Sequence, residues 1–191
     1  MADLSPGAQD DLVTVITRDH HAVELIFAEL QLGEGSSDHR RSLADHMTTE
    51  LVRHAVAEEM YMYPAARSAL PDGDTVADRE IAEHAGVERL LKELEGVDAT
   101  DPRFDDLVER VIADVRHHIR DEEEQLLPRL QAVCGTEVLQ ELGRMVERAK
   151  SSAPTRPHPA APHKPPANLI LSSGVGMIDK LRDALSGRNR D

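Results

Sequence analysis

Six residues of this chain have the types and the spacing to hold metal. His54 and Glu58 are four apart, and so are His118 and Glu122. The stretches around them are HAVAEEMYMYP (residues 54–64) and HIRDEEEQLLP (residues 118–128). Both place a histidine first, glutamates fifth and sixth, and a proline eleventh. Residues at i and i+4 share a helix face, so each pair aims an imidazole and a carboxylate at one volume. His20 and His84 occupy similar places on two other apolar stripes. Imidazole and carboxylate donors without thiolate suit iron or manganese better than structural zinc, which usually closes with four ligands. Two carboxylates on two helices suit two metals, each glutamate bridging.

The bland alternative is that each histidine is a satisfied core residue. One lone histidine on an apolar face fits that reading. Four histidines and two glutamates in one core do not, because buried charges without a partner are very costly. Ion pairs among them would seldom offset their desolvation. A cation pair resolves the conflict: neutral imidazoles donate lone pairs and carboxylates neutralise the positive charge.

The elements that position these residues are helices, since the dominant hydrophobic period is helical and no convincing alternating strand occurs. Leu12, Ile16, Val23, Phe27 and Leu30 form a stripe over about residues 10–32, with His20 in its gap. GEGSSD breaks it, and Ser37 is the expected cap of the next helix. That helix runs from about 38 to 68 with Leu43, Met47, Leu51, His54, Glu58 and Met62 on one face, and Pro64 kinks or ends it. A third, to about residue 95, carries Ile81, His84, Val87, Leu91 and Leu94. A fourth starts at Pro102, carries Leu107, Val111, Val115, His118 and Glu122, and ends near Val133. Short loops make consecutive helices antiparallel. The expected fold is therefore all-α, an up-down-up-down four-helix bundle. An extra C-terminal helix follows, with Val138, Leu142, Met145 and Ala149, and then a Pro-rich tail. Helices two and four then run the same way, so the His–Glu pairs can meet across the core. The expected domain is residues 10–150. Residues 151–191 read as a Pro-rich spacer and a short amphipathic segment, and residues 169–187 could dock on a protein partner.

Composition narrows the function. Lys+Arg number 22 against 36 Asp+Glu, a formal charge of −14. That charge repels nucleic-acid phosphates and anionic membranes. Trp is absent and aromatics make up 2% of the chain, so base-stacking platforms are not expected. The single cysteine, Cys134, excludes an intrachain disulfide framework and cysteine-based metal sites. The amino terminus lacks an apolar run, and no stretch of about 18 apolar residues occurs, so a cytoplasmic protein is expected.

DHHAV (residues 19–23), HAVAEEMYMYP, EHAGVERLL (residues 83–91) and HHIRDEEEQLLP, in this order, resemble the hemerythrin-like HHE cation-binding domain. The resemblance spans about residues 10–133. It implies a non-haem pair of iron ions inside a four-helix bundle. His20, His54, His84 and His118 would be terminal ligands, Glu58 and Glu122 would bridge, and an oxo or hydroxo bridge would complete the pair. Dioxygen, peroxide or nitric oxide would bind there. The ferritin-like Glu-x-x-His signature is absent. Oxygen-carrying hemerythrins place a second histidine one turn after the helix-three ligand, where this chain has Glu88. Glu88 is either a seventh ligand or an exposed residue beside Arg89 and Lys92. The carriers' aspartate falls five residues after the last histidine. Here the repeat selects Glu122, at four, over Glu123, at five. Tyr61, three after Glu58, is either a group that meets bound oxygen species or an ordinary core residue. Two functions stay open: redox processing of peroxide, dioxygen or nitric oxide, and oxygen or iron binding, storage or sensing without turnover.

Overall fold

The computed structural model describes residues 10–159. Helix α1 spans Leu12–Leu32, and Asp11 caps it by accepting from the Thr14 N–H. Gly33, at φ 66°, closes it in the left-handed conformation that glycine adopts most easily. Helix α2 spans Ser37–Ala57. Its cap is Ser36, not Ser37: the Ser36 hydroxyl accepts from the His39 N–H at 3.2 Å. A π turn, Glu58–Met62, continues it into α3, Tyr63–Ala69. Helix α4 spans Gly73–Glu95. Helix α5 spans Pro102–Asp121, with proline in its first turn as expected. A second π turn, Glu122–Leu126, leads into α6, Leu127–Val133. Helix α7 spans Thr136–Ser152. Two of the four expected long helices are thus rods with a π turn inside them, and α7 is the extra helix of the bundle.

Pro64 and Pro128 neither end nor sharply break their rods. A proline offers no N–H to the carbonyl four residues back, and its ring crowds that carbonyl. Just before each proline the chain switches to i→i+5 bonding, Tyr63 N–H to the Glu58 carbonyl and Leu127 N–H to the Glu122 carbonyl. Such π turns cluster at functional sites. Each of these begins at a candidate ligand.

The apolar stripes read from the sequence face inward. One cluster joins Phe27, Met47, Leu91, Leu94, Phe104 and Ile112 at one end of the bundle. Another joins Leu12, Ile16, Met62, Leu127 and Leu142 at the other. The buried histidines and glutamates lie on the same helices between these stretches. Helix α7 packs on α1 and α2. Gly143 permits this, because a Cβ there would meet the Asp10 carbonyl oxygen at 2.7 Å. Among the described residues, no helix is long and apolar enough to cross a membrane.

The Pro-rich segment was expected to run extended from residue 151. Its first residues instead lie on the bundle: Pro157 is buried, the Thr49 hydroxyl donates to the Thr155 carbonyl, and the His158 N–H donates to Glu88. The amphipathic segment of residues 169–187 and its docking role lie outside the described residues.

Candidate metal centre

Four helical rods each bring one histidine to the middle of the bundle. His20 comes from α1, His54 from α2, His84 from α4 and His118 from α5, and all are buried. They form two pairs. The rings of His20 and His54 are 5.0 Å apart, and those of His84 and His118 are 4.6 Å apart. Glu58 and Glu122 are fully buried between the pairs, and each divides its two oxygens. Glu58 Oε1 is 3.0 Å from His54 Nε2 and Oε2 is 3.4 Å from His84 Nε2. Glu122 Oε2 is 3.3 Å from His20 Nε2 and Oε1 is 3.6 Å from His118 Nε2. Each carboxylate therefore offers one oxygen to each histidine pair.

The outer nitrogen of every ring faces another carboxylate. His20 Nδ1 is 2.9 Å from Glu123, His84 Nδ1 3.1 Å from Glu59, His118 Nδ1 3.1 Å from Glu83 and His54 Nδ1 3.4 Å from Asp19. A carboxylate on the far nitrogen fixes the tautomer and turns the near nitrogen's lone pair inward, as metal-ligating histidines require. The two adjacent glutamates of each repeated motif thus act together. Glu58 and Glu59 hold the two nitrogens of His84, and Glu122 and Glu123 hold those of His20. Asp19 is itself tied by Lys150 of α7 at 2.5 Å, so α7 helps orient His54.

The electrostatics describe a site in which protons stand where cations fit. Burial disfavours the His54 imidazolium, but Glu58 and Asp19 overcome it and push its pKa up to about 10. Burial acts the same way on His84 and His118, and neighbouring carboxylates raise both above the usual histidine range. Burial alone would raise the Glu58 carboxyl, yet His54 and His84 hold it well below the usual carboxylate range. Even so, many polar atoms lack a well-aligned partner. His20 Nε2, His54 Nε2, both Glu58 oxygens and Glu122 Oε2 are buried without a satisfactory hydrogen bond. A cation among them would meet these buried lone pairs. His20, His54, Glu58 and Glu122 offer ligand atoms within 4.8 Å of one another, and so do Glu58, His84 and His118. The chemistry of these buried imidazole and carboxylate donors fits a metal cation.

Two expected residues are not in this cluster. Tyr61 is only partly buried and packs against the apolar cluster at one end of the bundle. Glu88 stands at the edge, where its carboxylate accepts the backbone N–H of His158 at 2.6 Å. Two other residues take part instead. Tyr63 is fully buried, and its hydroxyl donates to Glu122 Oε1 at 2.9 Å and lies 3.1 Å from His84 Nε2. The π turn explains the exchange. It adds roughly one residue to the turn, so the fifth residue after Glu58 returns to its face rather than the third. Glu80, one turn before His84, is also fully buried at the cluster. A count of four back along the His84 stripe would have found it, whereas the apolar stripe favoured Ile81. His21, His46 and His117 are exposed, as their helix positions imply.

A cavity of about 90 Å³ adjoins the histidines. Its walls are largely apolar, including Val23, Leu51, Val87, Leu91, Val115 and Ile119, and Glu50, Glu88 and Lys150 add polar groups. It is large enough for a molecule of a few atoms beside the cluster.

The sequence profile of the hemerythrin HHE cation-binding domain matches residues 11–130. An uncharacterized hemerythrin-like protein of Schizosaccharomyces pombe is 28% identical over 171 residues, 89% of this chain and 84% of that protein. A DNA nickase of Nostoc is 29% identical over 142 residues, 74% of this chain but 40% of the nickase. Among solved structures, a hemerythrin HHE cation-binding domain-containing protein from Mycobacterium kansasii has the same fold. Its TM-score is 0.64 at 20% identity, over 90% of this chain and 99% of that one.

Proposed function

The chain belongs to the hemerythrin HHE cation-binding family, and from that premise we propose that it is a non-haem di-iron protein that redox-processes small oxygen or nitrogen species such as peroxide, dioxygen or nitric oxide. One observation carries the two-ion reading: Glu58 and Glu122 each direct one oxygen to the His20–His54 pair and the other to the His84–His118 pair. His20 and His54 would hold one ion and His84 and His118 the other, with Glu58 and Glu122 able to serve both. An all-nitrogen-and-oxygen set of six donors without thiolate favours iron or manganese. Bound there, an iron pair supplies Lewis acidity and accessible redox states to a small ligand.

The chain's own residues do the rest. Asp19, Glu59, Glu83 and Glu123 hold the imidazoles in place through Nδ1. Tyr63 keeps a proton at its hydroxyl, since burial and the surrounding carboxylates raise its pKa well above the ordinary value. It donates that proton to Glu122 Oε1 and so holds this carboxylate in place at the site. The cavity, about 90 Å³ with largely apolar walls, suits a small molecule. DNA nicking by the Nostoc relative gives no reason to assign that activity here, because this chain matches 40% of that protein and carries a formal charge of −14.

The test is peroxide added to iron-loaded protein. Catalytic oxygen evolution, many turnovers per chain, is the expected result. A stoichiometric colour change without turnover would replace redox processing with binding, storage or sensing.

A further inference from the structure

Glu80 is buried more deeply than the outer carboxylates. It is fully buried, and the Arg79 guanidinium donates to its Oε1 at 2.6 Å. That contact turns Oε2 inward, where it has no well-aligned hydrogen bond. The nearest nitrogen is His118 Nδ1 at 3.1 Å. Glu83 already accepts from that nitrogen at 3.1 Å, and one N–H cannot serve both carboxylates well. Glu80 also lies within ligand distance of His118 and Glu122: one donor atom from each of the three falls within 4.8 Å of the others.

The rest of the centre shows that Glu80 is extra. The helix bearing His20 has a matching position, four residues before the histidine, and there it carries Ile16, fully buried in hydrocarbon. The two histidine pairs match in their rings, shared carboxylates and outer partners. They differ in this buried carboxylate, which lies beside His118 and groups with His118 and Glu122. A buried carboxylate oxygen without a proton donor is costly unless a cation meets it.

We propose that Glu80 is a metal ligand of the ion held by His84 and His118, a carboxylate donor that the His20–His54 side lacks. This rests on the two-ion reading above. The ligand from this helix then comes one turn before His84, not one turn after it at Glu88. The third carboxylate lowers the excess positive charge of the pair and makes the two ions unequal.

Cobalt(II) titration of the full-length chain tests this, with metal content by elemental analysis and visible absorption as readouts. Wild type should take up two equivalents. E80Q should bind the first with wild-type affinity and the second more than about 100-fold more weakly, with an altered ligand-field spectrum. E83Q removes only an outer partner of His118 and should weaken binding by no more than roughly 10–100-fold, with the spectrum unchanged. An E80Q protein indistinguishable from wild type, or from E83Q, overturns the assignment. Fewer than two equivalents in wild type overturns the two-ion reading itself. A crystal structure of cobalt-loaded wild type needs no variant to fold. Glu80 Oε2 within about 2.2 Å of the ion supports the proposal, and separation beyond about 3 Å contradicts it.

Discussion

The two copies of His-x-x-x-Glu-Glu-x-x-x-x-Pro fold alike and finish differently. In both, an α-helix passes into a π turn at the first glutamate, and proline follows in the next turn. In both, the first glutamate reaches a histidine of a crossing helix at Nε2 and the second reaches the same ring at Nδ1. They part at the residue before the proline. The first copy has Tyr63, which crosses the core to donate to Glu122. The second has Leu127, which packs in the apolar cluster and gives Glu58 nothing. Hence both Glu58 oxygens lack an aligned donor, while only one of Glu122's does. The repeat builds a common clamp, and the exchange of Tyr63 for Leu127 before the proline makes its halves chemically unequal.

Breaking both halves should have the largest effect. Glu58→Ala with Glu122→Ala removes the shared carboxylates, and most bound iron should be lost; elemental analysis that still finds two irons per chain would refute the bridging roles. Making the halves alike comes next. Tyr63→Phe leaves Glu122 without its donor, and denaturant unfolding of the metal-free protein should show a loss of roughly 1–3 kcal/mol. An unchanged midpoint would mean that the hydroxyl is replaceable by water. The second glutamates sharpen the contrast further. Glu59→Gln should weaken metal affinity by roughly 10–100-fold. Glu123→Gln should weaken it less, because the Glu123 side chain is 38% exposed and solvent screens it. Equal losses would argue against that ranking.

Acidity tests the same clamp without mutation. His54 has a folded pKa of about 10 against about 6.5 unfolded, so its stabilisation of the metal-free protein is complete below about 6.5 and disappears as pH rises through about 10. Glu58 runs the other way: its contribution is present above about 4.5 and lost as pH falls through its depressed folded value. Metal must displace those imidazole protons. Calorimetric titration in two buffers of different ionisation enthalpy should register proton release at neutral pH; buffer-independent heats would contradict it. The smallest effects belong to Tyr61→Phe and Glu88→Gln, which should leave iron content and absorption unchanged. A shifted spectrum in either would return that residue to the site.

The sequence made the six donors readable because each interrupts an apolar stripe at a helical interval. The bundle was equally readable from stripe lengths and short loops. Tyr63 was hidden because counting by helical period assumes an unbroken helix, and the π turn moves the inward face on by about one residue. Glu80 was hidden for another reason. Ile81 beside it is the apolar residue that a stripe search selects, yet Glu80 is the one fully buried. A metal site inverts the rule that the more apolar neighbour faces the core. The outer carboxylates Asp19 and Glu83 precede His20 and His84 in the chain, but each serves a histidine on another helix. Only the packing of the helices pairs them.

X-ray absorption of the iron-loaded protein tests the central claim most directly. Two irons per chain, with an iron–iron vector below about 4 Å, are the expected result of two carboxylates dividing their oxygens between two histidine pairs. One iron per chain, or two with no iron neighbour, would contradict it.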